Sequence, residues 1–151
     1  MNVRIETVSQ QLLAAVRLRI PSQEISRRFR EALDQVWSFL RRRPDLHSGG
    51  HNVFIYRSDG TTDFGVQING PFDAAGDVFC TFSPEGRVAT AIHRGDYARL
   101  GETHALVRRW CAENGHQRAG TDWEIYGDWN EDPRRLETQV CCLLTEQAPT
   151  S

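Results

Sequence analysis

The chain has 151 residues, of which 39% are hydrophobic, including four tryptophans and seven phenylalanines. This length suits one domain, and this apolar content is enough for a packed core, which excludes a disordered chain. The formal net charge is −2 and all 18 basic residues are arginine, so the composition lacks the positive excess typical of a nucleic-acid-binding protein.

The first half of the chain shows the pattern strand, strand, helix, strand, strand. Alternation of apolar and polar residues predicts strands at residues 3–7 and 10–20, an apolar run predicts a strand at 52–57, and its return strand is predicted at 63–68. Apolar residues at helical spacing predict the helix, with Ser22 as its N-cap and Pro44 at its end. Ser58-Asp59-Gly60 is a typical hairpin turn between the last two strands.

The second half repeats this order. Its strands are predicted at residues 78–82, 87–93, 122–127 and 136–144. Asp96 is the expected N-cap of the helix, and Asn114-Gly115 is its expected C-cap. The predicted apolar face of this helix comprises Tyr97, Leu100, His104 or Val107, Trp110 and Cys111. The tail from Thr145 is expected to fray.

The two halves form one domain over 1–151, with pseudo-repeats at about 1–75 and 76–145. The repeat is one of hydrophobic pattern more than of identity, and matches 53–56 with 123–126 and 64–68 with 138–142. One helix covering antiparallel strands in each half predicts an α+β fold of two pseudo-symmetric halves. Such halves leave a groove at their junction, where ligand sites are common.

Three segments of the second half carry a family resemblance. They are Ala91-Ile92-His93-Arg94-Gly95-Asp96-Tyr97, then Trp110-Cys111-Ala112-Glu113-Asn114-Gly115, then Trp123-Glu124-Ile125-Tyr126 followed by Asp132-Pro133 and Leu136-Glu137-Thr138-Gln139-Val140. In this order and spacing they resemble the GyrI-like family of bacterial effector-binding domains, also called AraC-type. Over the first half the resemblance is architectural. Asp96 stands where many members have proline.

The resemblance implies a stand-alone module that binds small hydrophobic, cationic aromatic molecules, as in multidrug binding and transcription regulation. Members are often fused to a DNA-binding helix-turn-helix segment. This chain begins directly in its first predicted strand, so we expect no DNA-binding segment, and a protein partner would have to supply the DNA contact. Two alternatives stay open: a hydrolase of strained, electrophilic natural toxins with Glu124 as general base, and a protein-interaction role such as gyrase inhibition.

The resemblance also implies that Glu124 lies in the ligand cavity, where a carboxylate meets the cation. The alternative is an exposed strand residue paired with an arginine. Tyr126, on the same strand face, and its counterpart Tyr56 would line opposite walls of the groove, or pack in the core with the hydroxyl at the surface. Tyr97 either packs its helix on the sheet or joins the pocket. Trp129 lies in a polar turn and could cover the groove.

We expect no metal site and no cofactor. His47 and His51 are separated by a Gly-Gly loop, so the helical spacing of metal ligands does not apply. The four cysteines form no CxxC pair and are expected to be reduced thiols. The N-terminus lacks the apolar run of a signal peptide, and no apolar run is long enough to span a bilayer. These features predict a cytoplasmic protein without a membrane partner.

Overall fold

The computed structural model describes residues 2–47 and 49–145. In these ranges eight strands and two helices follow one another as Arg4–Val8 (β1), Leu12–Arg19 (β2), Ile25–Arg41 (α1), Asn52–Arg57 (β3), Thr61–Gln67 (β4), Phe79–Phe82 (β5), Gly86–Arg94 (β6), Leu100–Glu113 (α2), Arg118–Tyr126 (β7) and Glu137–Leu144 (β8). The predicted order of elements and the α+β class are confirmed. None of the described helices has the length and apolar character needed to cross a membrane.

All eight strands form one antiparallel sheet in the order β1-β6-β8-β7-β3-β4-β2-β5. The two central strands, β7 and β3, come from different halves of the chain and pair with each other. At the edges, β1 pairs with β6 and β5 pairs with β2. The first strand of each half in chain order therefore extends the sheet of the other half, which ties the two halves together.

The strand register corrects one detail of the predicted repeat. Tyr56 faces Thr62 across β3 and β4, and Tyr126 faces Thr138 across β7 and β8. Thr62 is therefore the counterpart of Thr138, and the predicted alignment, which matched Phe64 with Thr138, is wrong by two positions. A shift of two residues keeps every side chain on the same face of a strand, so the hydrophobic alternation cannot reveal it.

Both helices pack on the same face of the sheet. α1 covers β2 and β4, and α2 covers β6 and β8. Val36 and Leu40 of α1 join one buried cluster, and Val107 and Cys111 of α2 join another. On the opposite face a third buried cluster comprises Leu13, Val53, Ile55, Val88, Trp123 and Cys141. The central strands β3 and β7 are packed on this second face and face the space between the helices on the first, which makes the sheet a rigid base for that space.

The two helix starts differ from each other in how they are capped. Pro21 has the extended backbone of an N-cap, at φ −61° and ψ 149°, and a 3₁₀ turn follows it before α1 begins at Ile25. Ser22 therefore lies inside the turn, and the prediction that it caps the helix is wrong. Asp96 accepts a hydrogen bond from the backbone of Ala98 at 3.0 Å and caps the 3₁₀ turn that leads into α2, as predicted.

The segment after α2 is more regular than expected. The helix ends at the predicted cap, where Gly115 has a φ of +73°. β7 starts at Arg118, four residues before the predicted Asp122, with a register shift between the two. Thr145 was expected in the frayed tail, yet its backbone N–H donates to the Gln117 carbonyl at 2.9 Å. The rest of that tail lies outside the described residues.

Candidate functional site

A groove of about 1220 Å³ runs between α1 and α2, above the central strands β3 and β7. Its walls carry many aromatic and apolar side chains, among them Phe29, Leu33, Trp37, Phe54, Tyr97 and Tyr126. The volume slightly exceeds the usual range of pockets that hold a drug-sized ligand. The position follows from the fold, because the helices cover the outer strands and leave the two central strands open.

Glu124 lies on the floor of the groove and is only 4% exposed. Its Oε1 accepts hydrogen bonds from the hydroxyls of Tyr56, at 2.5 Å, and Tyr126, at 2.7 Å. Its Oε2 lies 2.8 Å from Nε2 of His104. The three partners come from three elements: β3 supplies Tyr56, α2 supplies His104, and Tyr126 is two residues along the same strand, hence on the same face.

The hydrogen bonds explain how a carboxylate can be buried here. Desolvation of an ionised carboxylate is costly unless donors compensate it. Burial, together with the negative charge of Glu124, raises the pKa of both Tyr56 and Tyr126 far above the ordinary tyrosine value. The two hydroxyls therefore stay protonated and act as donors. Within the described ranges, the only ion-pair partner of Glu124 is His104, so no arginine neutralises this carboxylate.

Aromatic rings surround the carboxylate on the sheet and at the helix starts. The ring of Phe54 meets Tyr126 at 5.0 Å, and that of Tyr97 meets Tyr126 at 5.2 Å, both edge-to-face. Further along the groove, Trp37 donates its indole N–H to the side chain of Asn52 at 3.2 Å. Ring faces present partial negative charge and ring edges partial positive charge. The walls can therefore take up a flat or multi-ring apolar body.

All of the side chains singled out from the sequence line this groove, namely Glu124, Tyr126, Tyr56, Tyr97 and Trp129. The structure brings Glu124, Tyr56 and Tyr126 into direct hydrogen-bond contact. Tyr97 begins the turn before α2 and contacts the ring of Tyr126. Trp129 is 72% exposed at the groove mouth. Their part in binding a ligand stays a prediction.

His104 is the contact that sequence reasoning missed. The pattern left open whether His104 or Val107 belongs to the core face of α2, and the structure decides for Val107, which is 1% exposed. His104 turns to the groove, with its ring 6.1 Å from that of Tyr56. A titratable residue inside an apolar helical stripe was the available signal. No comparable signal marked Asn52 or Trp37, which reach the groove from two different elements.

The two histidines near the Gly-Gly loop have different neighbours. His47 packs edge-on against Trp37 with ring centroids 4.7 Å apart. His51 lines the groove, and its Nδ1 lies 3.8 Å from a carboxylate oxygen of the exposed Asp128. In residues 2–47 and 49–145 no three His, Cys, Asp or Glu side chains are grouped so as to hold a metal ion.

Several solved structures share this fold. The C-terminal domain of EcmrR matches with a TM-score of 0.81 and 15% identity, over 97% of this chain and 98% of that one. SAV2435 bound to tetraphenylphosphonium matches with a TM-score of 0.65 and 9% identity, over 96% and 94% of the two chains. A hydrolase from Listeria innocua matches with a TM-score of 0.59 and 13% identity, over 95% and 91%. At these identities the likeness shows the fold alone.

At the level of sequence, no curated protein matches the chain. The family described as the GyrI-like small molecule binding domain does match, over residues 1–142. This match covers both halves, whereas the motifs pointed mainly to the second half, and it confirms the resemblance. With nearly its whole length matched, the chain belongs to the GyrI-like small-molecule-binding domain family.

Proposed function

We propose that the groove binds organic cations with an aromatic or apolar body, and that Glu124 is their counter-charge. Family membership gives the binding of small molecules, and the preference for cations is the step proposed here. The observation that carries it is a carboxylate only 4% exposed at the floor of an aromatic groove, with which no arginine of the described ranges forms an ion pair.

The energetics favour a positively charged ligand. A carboxylate in an apolar groove has lost much of its hydration, and a cation placed beside it recovers part of that loss. Rings such as Phe54 and Tyr97 can add cation–π attraction, about 0.5 to 2 kcal/mol for each well-placed ring. An anion would be repelled by the negative charge of Glu124, which no described arginine neutralises, in a medium that screens it poorly.

The form of the groove favours a bulky ligand over a small polar one. Phenylalanine, tyrosine and tryptophan rings from both helices and the central strands line the groove, and the volume of about 1220 Å³ leaves room for several ring positions. Among the described residues that line the groove, Glu124 is the buried charged side chain, so specificity would rest mainly on charge and shape. SAV2435, which shares the fold, has been solved with tetraphenylphosphonium bound, and this lipophilic cation is a suitable probe.

Isothermal titration calorimetry with tetraphenylphosphonium tests the proposal. We expect Glu124→Gln to weaken binding at least tenfold, which is about 1.4 kcal/mol. Asp128→Asn is the matched control, because this carboxylate also lines the groove but its side chain is 96% exposed and water screens it. Tetraphenylborate has the same shape and the opposite charge, and should bind far more weakly. Equal binding of cation and anion, or no effect of Glu124→Gln, contradicts the proposal.

The hydrolase alternative has less support from the geometry. A general base needs an acceptor position free to receive a proton from water or substrate. Glu124 already accepts from two hydroxyls on Oε1 and contacts His104 on Oε2, which uses three of the about four acceptor sites of a carboxylate. These contacts suit a fixed negative charge better than a proton acceptor, which supports binding over turnover.

A further inference from the structure

His104 is placed so that its charge alters the charge of the proposed cation site. Its Nε2 lies 2.8 Å from Oε2 of Glu124, and its side chain is 11% exposed. Neighbouring core positions on α2 hold it in place, since Leu100, Thr103 and Val107 are all buried. The imidazole therefore occupies one side of the carboxylate that a ligand cation would approach.

The protons around the carboxylate can be assigned. An ionised carboxylate only accepts hydrogen bonds, and each tyrosine hydroxyl has a single proton, which both give to Oε1. The contact with Oε2 is then a hydrogen bond only if Nε2 of His104 carries a proton. The neutral Nε2–H form and the imidazolium both satisfy this condition. The same geometry therefore accommodates two charge states, which differ by one proton on Nδ1.

We infer that His104 carries an exchangeable proton that competes with a bound cation for Glu124. With His104 neutral, the pair has a charge of −1 and attracts a cation. With His104 protonated, the imidazolium is the counter-ion, the pair is neutral, and a cation gains little from entering. This inference rests on the proposed function, and adds that cation binding weakens in acid and displaces a proton from the protein.

Several charged or titratable groups surround His104, and the two tyrosines and the arginine among them keep their protons. Those that face it or flank it on the adjoining elements are Tyr56 on β3, Glu124, Tyr126 and Asp122 on β7, and Arg108 one turn further along α2. The two tyrosines stay protonated because burial raises the pKa of each. Arg108 is always charged and lies 3.4 Å from Asp122. Histidine is the side chain that ordinarily changes charge between about pH 5 and about pH 8.

The test is the pH dependence of tetraphenylphosphonium binding between about pH 8 and about pH 5.5. For the parent we expect the dissociation constant to increase as the pH falls, and the increase should approach tenfold per pH unit once His104 is protonated. In His104→Gln the amide still donates to Glu124 but cannot titrate, so its affinity should be independent of pH. His51→Gln is the matched control, because His51 also lines the groove, and should keep the dependence of the parent.

A second readout needs no variant. Calorimetry of the parent in two buffers of different ionisation enthalpy, at a pH where His104 is charged, should show release of nearly one proton per bound cation. Binding of the cation without pH dependence or proton release overturns this inference and leaves the proposed function intact. The same pH dependence in His104→Gln as in the parent also overturns it. No binding at any pH overturns the proposed function, and this inference with it.

Discussion

Phe54 and Glu124 stand directly opposite each other on the paired central strands β3 and β7. In the hydrophobic repeat they are also each other's counterparts, since 53–56 matches 123–126. The axis that relates the two halves would therefore pass between these two side chains. At this point one half supplies a phenyl ring and the other a carboxylate. A nearly symmetric frame thus holds a single buried charge at the centre of its groove.

The tyrosine hydroxyls on Glu124 should contribute to stability as well as to the site. We expect Tyr56→Phe and Tyr126→Phe each to lower the free energy of unfolding by about 1.5 to 3 kcal/mol, because a buried carboxylate loses a donor. Tyr97→Phe is the control, since Tyr97 packs on Tyr126 through its ring without donating to Glu124, and should stay within about 0.5 kcal/mol. Urea denaturation measures all three. A loss in Tyr97→Phe equal to the others would contradict the assigned hydrogen bonds.

The tyrosines should also resist ionisation in the folded protein. Burial raises the pKa of Tyr56, Tyr97 and Tyr126, and the charge of Glu124 adds to the effect for the first and last. At about pH 10, where free tyrosine titrates, Tyr56 and Tyr126 should contribute little tyrosinate absorbance in the native protein, and their absorbance should appear on unfolding. Because the pKa of these tyrosines is higher in the folded protein than in the unfolded chain, their contribution to the free energy of unfolding is fully present below about pH 10. It is lost as the pH rises above that value. Half-ionisation of Tyr56 and Tyr126 in the native protein at that pH would contradict this prediction.

A buried carboxylate on the other face of the sheet should matter for stability alone. Asp63 is fully buried; it accepts two hydrogen bonds from Arg17, at 2.7 and 3.0 Å. Nη1 of Arg57 lies 2.6 Å from the same carboxylate, at an angle outside that of a hydrogen bond. Asp63→Asn should cost about 2 kcal/mol, less than a fully buried pair, because both arginines are partly exposed. Asp45→Asn is the control, since its pair with Arg43 is exposed and should cost under about 1 kcal/mol.

Thermal or urea unfolding of the Asp63 and Asp45 variants gives both numbers in one experiment. Tetraphenylphosphonium binding to folded Asp63→Asn should match that of the parent, because Asp63 points away from the groove, on the face of Ile55. Equal losses of stability in the two variants would show that burial of Asp63 has no energetic consequence.

Much of the fold could be predicted because strands and helices have local signals. Alternating or continuous apolar residues between turn signals indicated all eight strands, and Asp96 and Asn114-Gly115 marked two ends correctly. The errors came where a sequence pattern fits more than one alignment, or where two neighbouring residues can both serve as a helix cap. The alignment of Phe64 with Thr138 slipped by two because alternation has a period of two. Ser22 is not the cap because Pro21, the residue before it, has the extended backbone that a cap requires.

For the site, the sequence by itself determined that Glu124 and Tyr126 share a face, since side chains alternate along a strand. Only the tertiary structure decided that Tyr56 and His104, 68 and 20 residues away along the chain, meet the same carboxylate. Those contacts depend on β3 pairing with β7 and on where α2 lies above them. Pairing between distant strands is set by packing and chain closure over the whole domain. The local sequence around Tyr56 or His104 does not encode this strand pairing or the contacts that depend on it.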